Sequence, residues 1–124
     1  MPIRTPTTTL VVEDEFLIAK VVAAQLLERY GCAVMTAHTL ARAEPLMTEA
    51  LAAGDLVFLD ERLPDGRGSS LLPLARARGL AVVLMTGDPE ALLRTDVPVL
   101  AKPFRACDLD RVIAAALAAE PAAD

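Results

Sequence analysis

The chain has 124 residues, 54% of them hydrophobic, which is enough to bury one core, so we expect a single domain over residues 1–124 with its core in residues 8–119. The formal net charge of -5 excludes a sequence-independent nucleic-acid-binding surface, because such a surface needs clustered lysine and arginine. Cys32 and Cys107 are far apart in the sequence and form no CxxC pattern, so we expect reduced and buried thiols. The polar N-terminus has no apolar signal segment. We therefore expect a cytosolic protein without a membrane anchor.

The first half of the chain alternates between strand and helix patterns. Residues 7–12 form a β-branched run that predicts a strand, and residues 15–31 follow with apolar side chains at helical spacing and a terminal glycine. Residues 32–37 predict a second strand. Residues 40–54 predict a second helix, which we expect Pro45 to bend or to start late.

The alternation continues through the middle of the chain. Residues 56–60, "LVFLD", are apolar up to the last position, as in a central parallel strand. The stretch "ERLPDGRG" then predicts a turn, followed by a helix over residues 69–78. Residues 80–86 predict the fourth strand.

The last part of the chain predicts a short connection, a strand and a helix. Residues 87–96 leave room for barely two helical turns before a fifth strand at 97–101. One apolar face defines the final helix, and it consists of Leu109, Val112, Ile113, Ala116 and Leu117. Such an alternation predicts an α/β fold, a doubly wound parallel sheet covered by helices on both faces.

Polar residues follow four of the five predicted strands. They are Glu13, Asp14, Asp60, Thr86 and Lys102. Because the carboxyl ends of parallel strands meet at one edge of the sheet, we expect these side chains to share a crevice. Each residue alone also fits a plainer role, such as a helix cap, a first-turn charge or a surface ion pair.

Three neighbouring carboxylates repel one another, and one of them stays protonated unless a cation neutralises them. Oxygen ligands with open positions indicate Mg2+, which readily accepts a phosphate oxygen. An aspartate beside such an ion is a competent nucleophile toward phosphorus. The chain has ten arginines and only two lysines, so a lysine at position 102 is notable as a compact charge suited to one phosphoryl oxygen.

Four motifs in the expected order resemble the receiver domain of two-component response regulators. They are "VVEDE", "LVFLDERLPDGRG", "VVLMTG" and "LAKPF". The resemblance covers residues 8–119 and implies a flavodoxin-like fold with five parallel strands in the order 2-1-3-4-5. It also implies that Asp60 takes a phosphoryl group from a histidine kinase or a histidine phosphotransfer protein, and that the chain signals by contact with a further protein.

The resemblance implies a ligand set for Mg2+ as well. Asp14 and Asp60 would bind the ion directly, Glu13 would act through water, and the backbone carbonyl of Arg62 would complete the protein ligands. The phosphoryl group would contact Thr86 and Lys102.

Two positions depart from the family pattern. Val99 stands where the family usually has an aromatic residue that couples phosphorylation to the output face. The segment between Thr86 and Lys102 is short, so we expect a truncated fourth helix and altered partner contacts. We expect a stand-alone receiver, a monomer or a weak homodimer.

Several functional alternatives stay open. One is a pseudo-receiver that binds partners without phosphorylation, and another is a Mg2+-dependent phosphohydrolase, although the chain lacks the second aspartate of a D-x-D motif. Otherwise we expect no enzymatic activity beyond the chain's own phosphorylation and dephosphorylation. We also expect Arg62 and Asp88 to pair across the mouth of the site and hinder the hydrolytic water. His38 is expected to be a surface or capping residue away from the acidic cluster.

Overall fold

The computed structural model describes residues 8–118, and its main sheet has five parallel strands in the order 2-1-3-4-5. The strands are β1 (Thr8–Val12), β2 (Ala33–Ala37), β3 (Leu56–Asp60), β4 (Ala81–Thr86) and β5 (Val99–Ala101). The predicted flavodoxin-like sheet is therefore confirmed. The N-terminal segment 1–7 and the expected end of the core at residue 119 lie outside the described residues.

Helices cover both faces of this sheet, as predicted. They are α1 (Phe16–Tyr30), α2 (Leu40–Glu49), α3 (Leu72–Ala77) and α4 (Ala106–Ala118). Helices α1 and α4 pack on one face around Phe58, and α2 and α3 pack on the other face around Leu59. Alternate residues of each central strand thus enter opposite cores, which explains why these strands are apolar on both sides.

Helix α2 begins at the predicted residue but ends earlier than predicted. It begins at Leu40, because Thr39 accepts a hydrogen bond from the backbone N–H of Arg42 (3.1 Å) and caps the first turn. Pro45 lies inside the helix and does not delay its start. The helix ends at Glu49, five residues before the predicted boundary at 54.

The connection from β4 to β5 contains even less helix than expected. It contains a single 3-10 turn at Ala91–Leu93, and β5 begins at Val99 rather than at residue 97. Pro98 has no N–H to donate to the sheet, which favours a strand that starts after it. The predicted truncation of the fourth helix is confirmed, and within residues 8–118 the next α-helix is α4, after β5.

A small hairpin follows β3. Its arms, Arg62–Leu63 and Gly66–Arg67, pair antiparallel, and a 3-10 turn at Gly68–Leu71 leads into α3, which therefore begins later than predicted. A Cβ atom at Gly68 would lie 2.0 Å from the carbonyl oxygen of Asp60. Glycine is required here because the chain returns directly onto the end of β3.

The two cysteines differ in exposure. Cys32 is buried and Cys107 is exposed, and both are reduced thiols, so the expectation of burial was wrong for Cys107. Its position at the start of α4 faces solvent, whereas Leu109 and Ile113 on the same helix are buried. Within residues 8–118, none of the helices has both the length and the apolar character needed to cross a bilayer.

Candidate functional site

The strand ends bring the predicted site residues to one edge of the sheet. Glu13 extends the pairing of β1 by donating its backbone N–H to the carbonyl of Ala37 (2.9 Å). Lys102 likewise donates its backbone N–H to the carbonyl of Thr86 (2.8 Å). Asp60 is the last residue of β3, between these two pairs of strands. The carboxyl edge of the sheet therefore carries acidic, hydroxyl and ammonium groups side by side.

Three carboxylates form a compact cluster at this edge. Glu13, Asp14 and Asp60 each offer one carboxylate oxygen, and these atoms lie within 4.8 Å of one another. Glu13 and Asp60 are buried, whereas Asp14 is exposed. Arg62 adjoins the cluster, since its backbone N–H donates to Asp60 Oδ1 (3.3 Å). The residues predicted to hold a metal ion are thus neighbours.

Lys102 lies between two of these carboxylates. Its Nζ is 2.5 Å from Glu13 Oε1 and 3.3 Å from Asp60 Oδ2, and only 16% of its side chain is exposed. A partly buried ammonium in contact with two carboxylates is held by charge-assisted hydrogen bonds rather than by a solvated surface pair. This arrangement disfavours the plainer interpretation of Lys102 as a surface cation.

Burial shifts the pKa of the carboxylate that contacts Lys102. Burial and a hydrogen bond with Asp60 raise the pKa of Glu13 to about 8, although the hydrogen bond with Lys102 acts in the opposite direction. For Lys102, burial alone would lower the pKa, but the hydrogen bond to Glu13 and the charge of Asp60 raise it. At neutral pH the metal-free cluster therefore holds a proton on Glu13 and keeps its lysine charged.

Thr86 ends the neighbouring strand and is 1% exposed. Its Oγ1 accepts a hydrogen bond from the backbone N–H of Asp88 (2.9 Å), so its hydroxyl hydrogen can be donated to another oxygen. The carboxylate of Asp88 forms an ion pair with Arg62 at 3.6 Å. The predicted pairing of Arg62 with Asp88 is therefore confirmed.

One prediction about the surroundings of the site was wrong. His38 does not lie away from the acidic cluster, because its Nδ1 is 2.7 Å from the backbone carbonyl of Glu13 and its ring contacts Phe16. A carbonyl only accepts, so Nδ1 is the protonated donor in this contact. The topology places β2 beside β1, and the loops that follow these two strands meet.

Two further residues were not singled out as neighbours of the site in the sequence. Glu61 is 3% exposed and accepts a hydrogen bond from the backbone N–H of Ser69 (3.0 Å), which secures the chain after the hairpin. Asp65 accepts from the backbone N–H groups of Leu40 and Ala41 at 2.8 and 3.0 Å. The only signal for Asp65 in the sequence is its place in a turn, which does not identify the helix that it contacts.

Comparisons by sequence find no protein-family profile and no curated protein that matches this chain. Comparisons by structure do find similar folds. The receiver domain of the Erythrobacter litoralis response regulator PhyR has a TM-score of 0.79 at 24% identity, with 97% of this chain and 96% of that chain covered.

Two further neighbours are at least as similar in sequence. The response regulator PhyR from Brucella abortus is 28% identical with a TM-score of 0.74, and the match covers 92% of this chain but 49% of that protein. The receiver domain of the sensor histidine kinase PA1611 from Pseudomonas aeruginosa is 25% identical with a TM-score of 0.75 and coverage of 92% and 99%, and it carries a magnesium ion in its active-site cleft. In its fold, and in the position of its four motifs at the ends of the corresponding strands, the chain is similar to response regulator receiver domains.

Proposed function

We propose that this chain accepts a phosphoryl group on Asp60 from a phosphohistidine donor, with Mg2+ bound beside it, and signals by protein–protein contact. The observation that carries the proposal is the position of the Lys102 ammonium, 3.3 Å from Asp60 inside a cluster of three carboxylates. A buried aspartate next to a lysine has the charge needed to stabilise a phosphoryl group as it arrives.

The donor set of the site fits Mg2+. The clustered atoms are carboxylate oxygens, which are the hard ligands that this ion prefers, and burial together with the neighbouring Asp60 raises the pKa of Glu13. In this proposal Asp14 and Asp60 bind the ion directly, Glu13 acts through water and the carbonyl of Arg62 completes the protein ligands. When bound, Mg2+ would neutralise the carboxylates and the charge of the phosphoryl oxygens.

The residues of the chain have separate roles in the transfer. A carboxylate oxygen of Asp60 attacks phosphorus, and the phosphorus–nitrogen bond of the donor breaks while the histidine nitrogen keeps the electron pair. Lys102 and the hydroxyl of Thr86 donate hydrogen bonds to phosphoryl oxygens. The chain catalyses only its own phosphorylation and the later hydrolysis of its aspartyl phosphate, and we propose no activity on another substrate.

An exposed apolar ridge on α1 supports a protein as the donor. Leu17 and Val21 lie one helical turn apart with 76% and 52% of their surface exposed, and the helix begins two residues after Asp14. Contiguous exposed apolar side chains mark protein-binding surfaces. We propose a histidine kinase or a histidine phosphotransfer protein as the donor and a cytosolic location, which agrees with two reduced cysteines.

The proposal is tested by incubating the purified chain with phosphoramidate and Mg2+ and measuring its intact mass. We expect the wild type to gain one phosphoryl group, and Asp60→Asn to gain none because the nucleophile is lost. Asp110→Asn is the matched control. This carboxylate lies on α4 and pairs with Arg29 on α1, outside the acidic cluster. It should be phosphorylated like the wild type.

Each outcome selects one function. A stable phosphoryl group that depends on Asp60 supports the receiver. Release of many phosphate molecules per protein indicates the phosphohydrolase, in which the aspartyl phosphate is only an intermediate. An unmodified but folded wild type contradicts phosphoacceptor activity and favours a pseudo-receiver that binds partners without phosphorylation.

A further inference from the structure

The start of helix α2 touches both loops that carry the acidic cluster. On one side, His38 donates from Nδ1 to the carbonyl of Glu13 (2.7 Å). On the other side, Asp65 accepts from the backbone N–H groups of Leu40 (2.8 Å) and Ala41 (3.0 Å). Four consecutive residues, 38–41, therefore bridge the loop after β1 and the loop after β3.

Asp65 is coupled closely to Asp60 through the hairpin. The pairs Arg62 with Arg67 and Leu63 with Gly66 make Asp65 a residue of its two-residue turn. At the base of the hairpin, the backbone N–H of Arg62 donates to Asp60 Oδ1 (3.3 Å). A short, hydrogen-bonded segment thus joins the predicted phosphoacceptor to the carboxylate that accepts from the first turn of α2.

The hairpin also packs directly on α2. Gly66 has a φ of +146°, and a Cβ atom there would lie 2.8 Å from Leu40 Cδ1. Only glycine adopts this backbone conformation without strain and leaves room for the leucine. A movement of the hairpin would therefore be transmitted to the first turn of α2 by contact as well as by the hydrogen bonds of Asp65.

Thr39 is the N-cap of helix α2, so Asp65 acts in addition to this cap and does not replace it. Thr39 already accepts from the backbone N–H of Arg42 (3.1 Å), and Asp65 satisfies the two donors that precede it. These two hydrogen bonds lower the pKa of Asp65, so it is an anion at the positive end of the helix. Its contribution to α2 depends on where the hairpin holds it.

The other face of the site lacks the parts expected for a response to phosphorylation. Val99 is half-buried where an aromatic switch residue was expected, and the connection before it contains a 3-10 turn at Ala91–Leu93 instead of a helix. The segment 38–41 at the start of α2, by contrast, contacts both loops of the site. The contacts thus favour α2 as the element that senses the state of the site.

We propose that Asp65 is a positioning residue that couples the phosphoacceptor loop to helix α2, so that loading of the site changes the first turn of this helix. The inference rests on the proposed function, because it takes Asp60 as the loaded residue. It adds a route for the signal: from Asp60 through the hairpin and Asp65 to the N–H groups of Leu40 and Ala41.

The test is amide hydrogen exchange at Leu40 and Ala41, measured with and without Mg2+ and phosphoramidate. In the wild type, loading should change the exchange rates at these amides by at least about fivefold, the lower end of typical coupling between sites. In unloaded Asp65→Ala, both amides should exchange about fivefold faster than in the wild type, as for the loss of a helix cap. Loading should no longer change the exchange rates of these amides in this variant.

The matched control is Asp108→Ala, which removes a half-buried carboxylate in the first turn of α4, where Asp108 accepts from the backbone N–H of Arg105 (2.9 Å). It should leave the response of Leu40 and Ala41 to loading intact. Asp65→Asn keeps one acceptor oxygen and should restore part of the response. Asp65 is exposed, so these variants keep the buried core unchanged.

The outcomes separate this inference from the proposed function. Phosphorylated wild type without a change at Leu40 and Ala41 overturns the coupling and leaves the phosphoacceptor function standing. An equal change in wild type and Asp65→Ala also overturns it, because Asp65 would then be only a structural cap. If intact mass shows no phosphoryl group on the wild type, the proposed function fails, and the coupling fails with it.

Discussion

At the scale of single residues, the ion pair between Arg62 and Asp88 lies beside Asp60 and Thr86, to which the backbone N–H groups of the two residues donate. The guanidinium is 79% exposed and the carboxylate only 14%, and Asp88 is held by its backbone hydrogen bond to Thr86. We expect the pair to hinder the water that hydrolyses the aspartyl phosphate. An exposed ion pair is worth at most about 1 kcal/mol, so replacing both residues by alanine should shorten the lifetime of the aspartyl phosphate by up to about fivefold.

The measurement is the decay of phosphorylated protein by intact mass after removal of the donor. Replacing Arg29 and Asp110 by alanine removes another ion pair, which joins α1 to α4, and should leave the lifetime unchanged. A lifetime that is the same in the Arg62 and Asp88 double variant as in the wild type would show that the pair is only a solvated surface contact.

The site residues differ in how well the sequence could predict them. Glu13, Asp60 and Lys102 could be found because parallel strands end at one edge, so residues far apart in sequence meet there. The contacts of His38 and Asp65 could not, because they depend on how two loops pack against the start of α2. Turn residues look alike in a sequence whether they face solvent or hold a helix.

At the scale of elements, Pro45 is the clearest local conflict. It lies in the sixth position of α2, where it removes a hydrogen bond to the carbonyl four residues earlier. We expect Pro45→Ala to restore this bond and raise the free energy of unfolding by about 1–2 kcal/mol, since part of the gain is offset by a more flexible unfolded chain. Urea unfolding measures the change.

Pro73 provides the matched control for this substitution. It is also exposed, but it lies in the first turn of α3, where a missing N–H has no helical partner to lose. Pro73→Ala should therefore be neutral or slightly destabilising. Equal effects of the two substitutions would mean that Pro45 is accommodated in α2 without a lost hydrogen bond.

The elements themselves were predicted better than their ends. The strand β3 has the predicted bounds, because an apolar run between turn residues is a strong local signal. Helices α2 and α3 are shorter than predicted, since apolar residues such as Leu51 continue the pattern beyond the helix and are buried in a loop. The hairpin after β3 had no periodic signal, because each of its arms has only two residues.

At the scale of the whole molecule, the resemblance to receiver domains predicted the order of the strands. The apolar composition of the strands predicted that they are buried. Leu10, Val57 and Leu84 are fully buried in the three central strands, as expected of a sheet covered on both faces. The charge balance of the site could be predicted only in part. The sequence indicated that one of several carboxylates would be protonated, and the structure identifies it as Glu13.

The protonation of Glu13 makes the stability of the metal-free protein depend on pH. Its pKa is about 8 in the folded state and 4.5 in the unfolded chain, so the folded state binds more protons between these values. This contribution is fully present below about pH 4.5 and is lost as the pH rises through about 8. We expect the free energy of unfolding to fall by about 2–4 kcal/mol between about pH 5.5 and pH 8.5.

At a fixed concentration, Mg2+ should weaken this dependence, because it binds the ionised carboxylates and competes with the proton of Glu13 at lower pH. Saturating Mg2+, at about 100 times its Kd, should stabilise the protein by about 2.7 kcal/mol, with the lower Kd at about pH 8.5. Urea unfolding at both pH values, with and without Mg2+, measures both effects.

Glu13→Gln mimics the protonated side chain and should remove most of the pH dependence of the metal-free protein. If wild type and Glu13→Gln lose stability in parallel as the pH rises, a group other than Glu13 carries the buried proton.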